Sequence, residues 1–284
     1  MQISVSNLTQ LTIPDLAAFD LDPGLGLACL QVEGDNIAVF LNGKLTRSWR
    51  QGGHWKPRAI KWLSSDEVIT YPDVAVVSAH SWRDLERSGP HIFVIAERFM
   101  LLGYGEEQIY GAYLDDPESK WASVYSRSGK LEFGFRELFY ANREANIAEI
   151  EACYSVGDSF IFVSDDLHFN KVWVLDAHTR TYRSITTPFD LVTVHVMAGD
   201  DKKAYAIFDN RYLSQHYPDL PPFELAVFDL VAGTAIKSSF APVEAALLAA
   251  GFDPAAISLQ PNARGRIIVS DATKAALLEF SDGD

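Results

Sequence analysis

Residues 147–186 read IAEIEACYSVGDSFIFVSDDLHFNKVWVLDAHTRTYRSIT, and their parsing decides the fold. Four apolar, β-branched or aromatic runs stand in series: IAEIEACY, SFIFVSDD, KVWVLDAHT and RTYRSIT. Val-Gly-Asp separates the first two, and polar turn residues separate the rest. Short runs of this kind bounded by Gly, Asp, Asn and Ser are the signature of strands joined by tight turns. The stretch therefore predicts a four-stranded antiparallel meander in roughly forty residues.

Working outward, the same grammar recurs. VTVHVMAG (192–199), KAYAIFDN (203–210), FELAVFDLVAGT (223–234) and AIKSSF (235–240) make a second copy, with an insertion from Asn210 to Pro222. AISLQ, GRIIVSDAT and AALLEF, between residues 256 and 280, make a third that is one strand short. Asp165, Asp209 and Asp271 each close a second strand, whereas Asp176 and Asp229 each close a third. Aspartate suits these places because its carboxylate accepts a backbone amide two residues on, so turn chemistry is expected of all five rather than catalysis.

The N-terminal half is less regular. LACLQV, NIAVFLN and LTRSWR predict hairpins through Glu-Gly-Asp and Asn42-Gly43, the latter a type I′ signal. RAIKWL, EVITYP, HIFVIAE and FMLLGYG form another candidate unit, interrupted by a polar insertion from Ser78 to Pro90. QIYGAYL, WASVYS and LEFGF form one more without an evident outer strand. Helical periodicity is confined to Leu138–Ile147 and Val243–Ala250.

The segments VLDAHTRTYRSI (174–185) and VFDLVAGTAIKSS (227–239) resemble the outer hairpins of WD-type and YVTN-type β-propellers. The resemblance extends over about two thirds of the chain and is to the superfamily. No Trp-Asp blade signature, Kelch double glycine or sialidase box is present. It implies an all-β single β-propeller domain over residues 1–284, of about six four-stranded blades, with five or seven also compatible. The spare strand Gln2–Ser6 is expected beside Ala275–Phe280, since pairing a terminal strand covers an open sheet edge.

Composition bounds the functional classes. The net charge of −14, from 38 acids and 24 bases, disfavours general nucleic-acid binding, which depends on neutralising phosphates. The two cysteines, Cys29 and Cys153, sit in apolar runs and are expected to be buried, reduced and unpaired. No signal-peptide pattern or stretch of membrane-spanning length occurs, so a cytoplasmic, non-membrane protein is expected, monomeric when alone.

Chemistry motifs are sparse. No dinucleotide or phosphate loop, Gly-x-Ser-x-Gly elbow or zinc spacing is present, and no cofactor is expected. The carboxylates Glu106, Glu107, Asp115, Asp116 and Glu118 lack calcium-loop spacing and read as a solvated loop. Glu149 and Glu151 share one face of a strand, as do Thr193, His195 and Met197 in the next copy. If both strands are innermost, Glu149, Glu151 and His195 are candidate channel residues for a metal or for acid–base work. A sugar or lactone hydrolase or lyase is the enzyme alternative.

The segment from Lys44 to Lys61 stands apart. Lys44, Arg47, Arg50, Lys56, Arg58 and Lys61 occur with Trp49, Trp55 and His54, and no acid lies between Asp35 and Asp66. Arg and Trp dominate interface hot spots. Arg47, Trp49, Arg50, Trp55, Lys56 and Arg58 are therefore the candidate binding residues for another protein. Trp55 and Lys56, in a Gly- and Pro-bounded loop, are expected to be the most exposed. The leading reading is a non-enzymatic binding propeller, and a bacterial immunity protein that neutralises a toxin is one version of it.

Overall fold

The computed structural model describes residues 2–51, 56–64, 67–71, 79–83, 91–93, 99–104, 108–113, 123–126, 131–134, 150–156, 159–164, 171–176, 179–187, 194–262 and 265–281. These fall into six sheets of four strands, in which neighbouring strands are consecutive in sequence except for the pairing of the first strand with the last. The chain divides into two compact units, one built from residues 9–137 with 273–275, the other from residues 1–8, 138–272 and 276–284.

In the first unit, β2 (Leu16–Asp22), β3 (Gly26–Glu33), β4 (Asn36–Leu41) and β5 (Lys44–Arg50) form one sheet in that order. The β4–β5 turn is Asn42-Gly43, with φ of 51° and 78°, as the type I′ signal requires. Asn42 also braces the sheet end, its Oδ1 accepting the Leu27 amide at 2.9 Å. The second sheet is β6 (Ala59–Ser64), β7 (Glu67–Tyr71), β8 (Ala79–Arg83) and β9 (His91–Phe93). The third is β10 (Phe99–Tyr104), β11 (Gln108–Tyr113), β12 (Ser123–Ser126) and β13 (Leu131–Gly134).

Two expectations are corrected here. Part of the supposed insertion after Ser78 is strand β8, because Ala79–Arg83 pairs with Glu67–Thr70 on one side and His91–Phe93 on the other. Phe99–Tyr104, grouped from sequence with RAIKWL, EVITYP and HIFVIAE, instead opens the third sheet by pairing with β11. Strand β2 escaped the sequence reading altogether.

In the second unit the diagnostic stretch forms β14 (Ile150–Val156), β15 (Ser159–Ser164), β16 (Lys171–Asp176) and β17 (Thr181–Thr186), a meander as expected. β18 (Val194–Gly199), β19 (Lys203–Asp209), β20 (Phe223–Asp229) and β21 (Thr234–Ser238) repeat it. The last sheet is β22 (Ser258–Pro261), β23 (Ile267–Ser270), β24 (Lys274–Ser281) and then β1 (Gln2–Gln10), so the N-terminal strand supplies the missing fourth.

Alternation of side chains across β18 explains how the sheets stack. Met197 enters a core with Ile161, Val172 and Val174 of the preceding sheet and Phe208 and Phe228 of its own. Val196 and Ala198 face the opposite core, with Ile267, Val269 and Leu278 of the following sheet. The helix Ala241–Ala249 docks Val243 and Leu247 there. This is the second helical segment expected from the sequence, whereas residues 138–147 lie outside the described residues. Among the described residues no helix is long and apolar enough to cross a membrane.

Candidate functional site

Three of the five turn aspartates, Asp176, Asp209 and Asp229, accept amides of the following turn as their chemistry predicts. Asp176 accepts the Thr179 amide at 2.9 Å, and Asp229 accepts those of Val231 and Ala232 at 3.0 and 2.7 Å. Asp209 accepts the Arg211 amide and both ends of its guanidinium. Asp165 lies outside the described residues.

The basic segment begins on β5 and crosses to β6. A bulge between Val39 and Phe40 sets the register, placing Arg47 opposite Val39, Trp49 opposite Ile37 and Arg50 opposite Asn36. Arg47 and Trp49 are accordingly half-buried while Arg50 is exposed. Trp49 packs its ring against the core that contains Ile37 and Trp62, and its indole N–H donates to Gln51 Oε1 at 3.2 Å. It is therefore a lid on the core, with its polar edge turned outward.

Beyond β5, Gln51 and Lys56 are both tied to the β3–β4 turn. The Gln51 amide donates to the Asp35 carbonyl at 2.9 Å. Lys56 pairs with Asp35 Oδ1 at 2.8 Å and also donates to the Gly34 carbonyl. The hydrogen bond and charge of Lys56, with Arg50 adding to them, hold the Asp35 carboxyl below its ordinary range. Lys56 is thus a half-buried anchor, which corrects the expectation that it stands among the most exposed residues. Pro57 is buried beside it, and Arg58 is exposed with no ion pair among the described residues. Trp55 and His54 lie outside the described residues.

A second contact anchors the root of this segment. Asp20, on the first strand of its sheet, β2, is 1% exposed and accepts the Trp62 amide of β6 at 2.8 Å. Its other oxygen faces the Lys61 ammonium at 3.5 Å. Burial raises the Asp20 pKa, and Lys61 partly offsets the rise. The Trp62 indole donates to the Gly26 carbonyl at 3.0 Å. Sequence reading missed Asp20, whose only signal was an acid alternating with apolar residues in Leu16–Asp22.

For the enzyme alternative, β14 and β18 are indeed the first strands of adjacent sheets. Glu149 lies outside the described residues. A register shift between Ile150 and Ala152 falls at Glu151, whose side chain lies outside the described residues. The backbone of His195 pairs with Phe208. Met197, expected on the same face as His195, is buried in apolar packing. Among the described residues no three His, Cys, Asp or Glu side chains group as metal ligands.

Cys29 is buried and unpaired, and burial pushes its thiol up to about 12. Cys153 belongs to β14, and its side chain lies outside the described residues.

No protein-family model matches the chain, and no curated protein does. Among solved structures, 94% of the chain is similar to 75% of a chain in the mitotic checkpoint complex, at 10% identity and a TM-score of 0.51. It is also similar to the WD40 β-propeller domain of Doa1, at 12% identity, 93% and 79% coverage and a TM-score of 0.46. The RRP9 WD40 repeats match at 9% identity, 82% and 67% coverage and a TM-score of 0.46. Six four-stranded antiparallel sheets and this likeness give an all-β, propeller-like fold. At such identities the likeness concerns fold alone, since one fold hosts unrelated functions.

Proposed function

We propose that the chain is one closed propeller domain of six blades whose role is to bind another protein without catalysing a reaction. The carrying observation is the pinned basic segment: Lys56, Asp35 and Gln51 hold its backbone, and Arg50 and Arg58 project from it into solvent. Backbone already held at Gln51 and Lys56 has little freedom left to lose on binding, so the cost is mainly that of ordering the exposed arginine side chains. Arginine pairs bidentately with carboxylates, which makes an acidic patch on the partner the complementary surface. Trp49 and Lys56 support this surface from beneath, and Arg47 flanks it. Trp55 completes the proposed contact set. No observation favours a toxin-neutralising role over other protein partners.

The test is capture from lysate by the immobilised wild-type chain and by an Arg50→Glu/Arg58→Glu variant of equal melting temperature. An acidic protein held by the wild type and lost by the variant is the expected result. Equal capture by both removes the basic segment from the function.

A further inference from the structure

The insertion between β19 and β20, residues 210–222, buries little of its aromatic surface. Tyr212 is 73% exposed and Tyr217 64%, and Leu248 on the nearby helix is 57% exposed. Yet the insertion is firmly built. Asn210 is buried, its amide donating to the Pro222 carbonyl at 2.8 Å and its side chain to Glu224 Oε2 at 3.1 Å. Arg211 grips Asp209 through two nitrogens at 2.9 and 2.6 Å. It donates to the Ala255 carbonyl at 3.1 Å, which ties the insertion to the segment after the helix. The guanidinium also lies 4.9 Å from the centre of the Phe223 ring, which stacks on Phe240 at the helix entry. His216 sits edge-on to Tyr212, with 5.7 Å between ring centres.

The segment that carries Tyr212 and Tyr217 is held by Asn210 and Arg211, and the two tyrosines contribute little to the core. They do present rigid, amphipathic area, which is what binding surfaces use. Charge decides the partner. The cations here are already committed, Arg211 to Asp209 and Lys237 to Glu224. Asp219, Glu244 and Asp253 remain exposed, and none has a cation partner among the described residues. Tyrosine faces attract lysine and arginine by cation–π contact, and unpaired carboxylates add long-range attraction. We propose that this end of the second unit, the insertion with the helix Ala241–Ala249, is a docking surface for a lysine- and arginine-rich segment of another protein. It stands independently of the basic segment, which lies in the other unit.

The experiment uses the full chain and a fluorescent lysine/arginine-rich peptide, with a glutamate-rich peptide of equal length as control, read by anisotropy. The basic peptide should bind the wild type in preference to the control. Tyr212→Ala with Tyr217→Ala should weaken it by about tenfold or more, the scale of losing hot-spot aromatics, at an unchanged melting temperature. Tyr212→Phe with Tyr217→Phe should retain binding, because the ring face is kept. Asp219→Lys with Glu244→Lys should weaken it too, whereas Arg50→Glu with Arg58→Glu should not. Equal binding of both peptides by the wild type overturns the proposal. Undiminished binding by the double alanine variant also overturns it, since that result leaves only attraction to the chain's net charge.

Discussion

Replacing Asp20 with alanine tests whether two adjacent sheets are fastened at the root of the basic segment. In the wild type, the carboxylate accepts the buried Trp62 amide and faces the Lys61 ammonium, which is 13% exposed. Alanine leaves the Trp62 N–H without this acceptor, a cost of about 1–3 kcal/mol for a buried donor. Lys61 loses the carboxylate facing it, which adds to that cost. Against both stands relief from burying the carboxylate, the cause of its raised pKa. The net expectation is a loss of about 2 kcal/mol, read as a lower urea midpoint at constant slope. The pH dependence gives a second reading. A raised pKa means the folded state holds the Asp20 proton longer than the unfolded state does. This group's contribution is therefore complete below the ordinary carboxylate range, about pH 4, and is lost as pH rises through the folded value. Nearby, the Asp22 carboxylate is occupied by the Gly24 and Leu25 amides. Asp20→Asn cannot ionise, so the advantage of wild type over Asp20→Asn should shrink as pH rises. An alanine variant as stable as the wild type at neutral pH, or a wild-type advantage that grows with pH, would refute the reasoning.

Deleting residues 1–8 removes most of β1 from β24, together with Ile3 and Val5, which pack on the adjoining core. A loss of several kcal/mol is expected by calorimetry, and an unchanged melting temperature would contradict the strand's place in the sheet. Gly199→Ala would put a Cβ 2.2 Å from the Lys203 carbonyl oxygen, in a turn whose Gly199 amide also bonds Gly265. The expected destabilisation is about 1–3 kcal/mol by denaturant titration, and a neutral result would mean the turn relaxes freely. Cys29, buried with its thiol pushed up to about 12, should resist alkylation in the native protein and react after unfolding. Mass spectrometry of the native protein showing modified Cys29 would disprove that burial.

Much of the second unit was readable because β16, β19 and β20 are largely apolar runs that end on aspartate. KVWVLD and FELAVFD each close on a carboxylate that takes the next turn's amides, so punctuation and pattern agree. Asn42-Gly43 was readable for a similar local reason. Strand β2 was hidden because Asp20 and Asp22 look like turn residues, although both are buried, one by a tertiary contact 42 residues away. Strand β8 was hidden because Ala-His-Ser-Trp-Arg carries no apolar run and is specified by its partners on either side. At the candidate site, charge contrast located the segment and strand alternation separated Arg47 and Trp49 from Arg50. The Lys56–Asp35 pair was not legible, since it joins residues 21 apart that the β4–β5 pairing brings together. The exposed tyrosines of the 210–222 insertion gave no sequence signal beyond their presence in a polar loop.

The central claim, a protein-binding propeller that engages its partner through the braced basic segment, is tested most directly by a footprint. Hydrogen exchange on the chain, with and without the protein it captures, should show added protection at Gly34–Asp35, Arg50–Gln51 and Lys56–Arg58. Inner-strand amides such as those of β3 should stay unchanged. Protection absent from those three stretches while the captured protein is demonstrably bound would contradict the account.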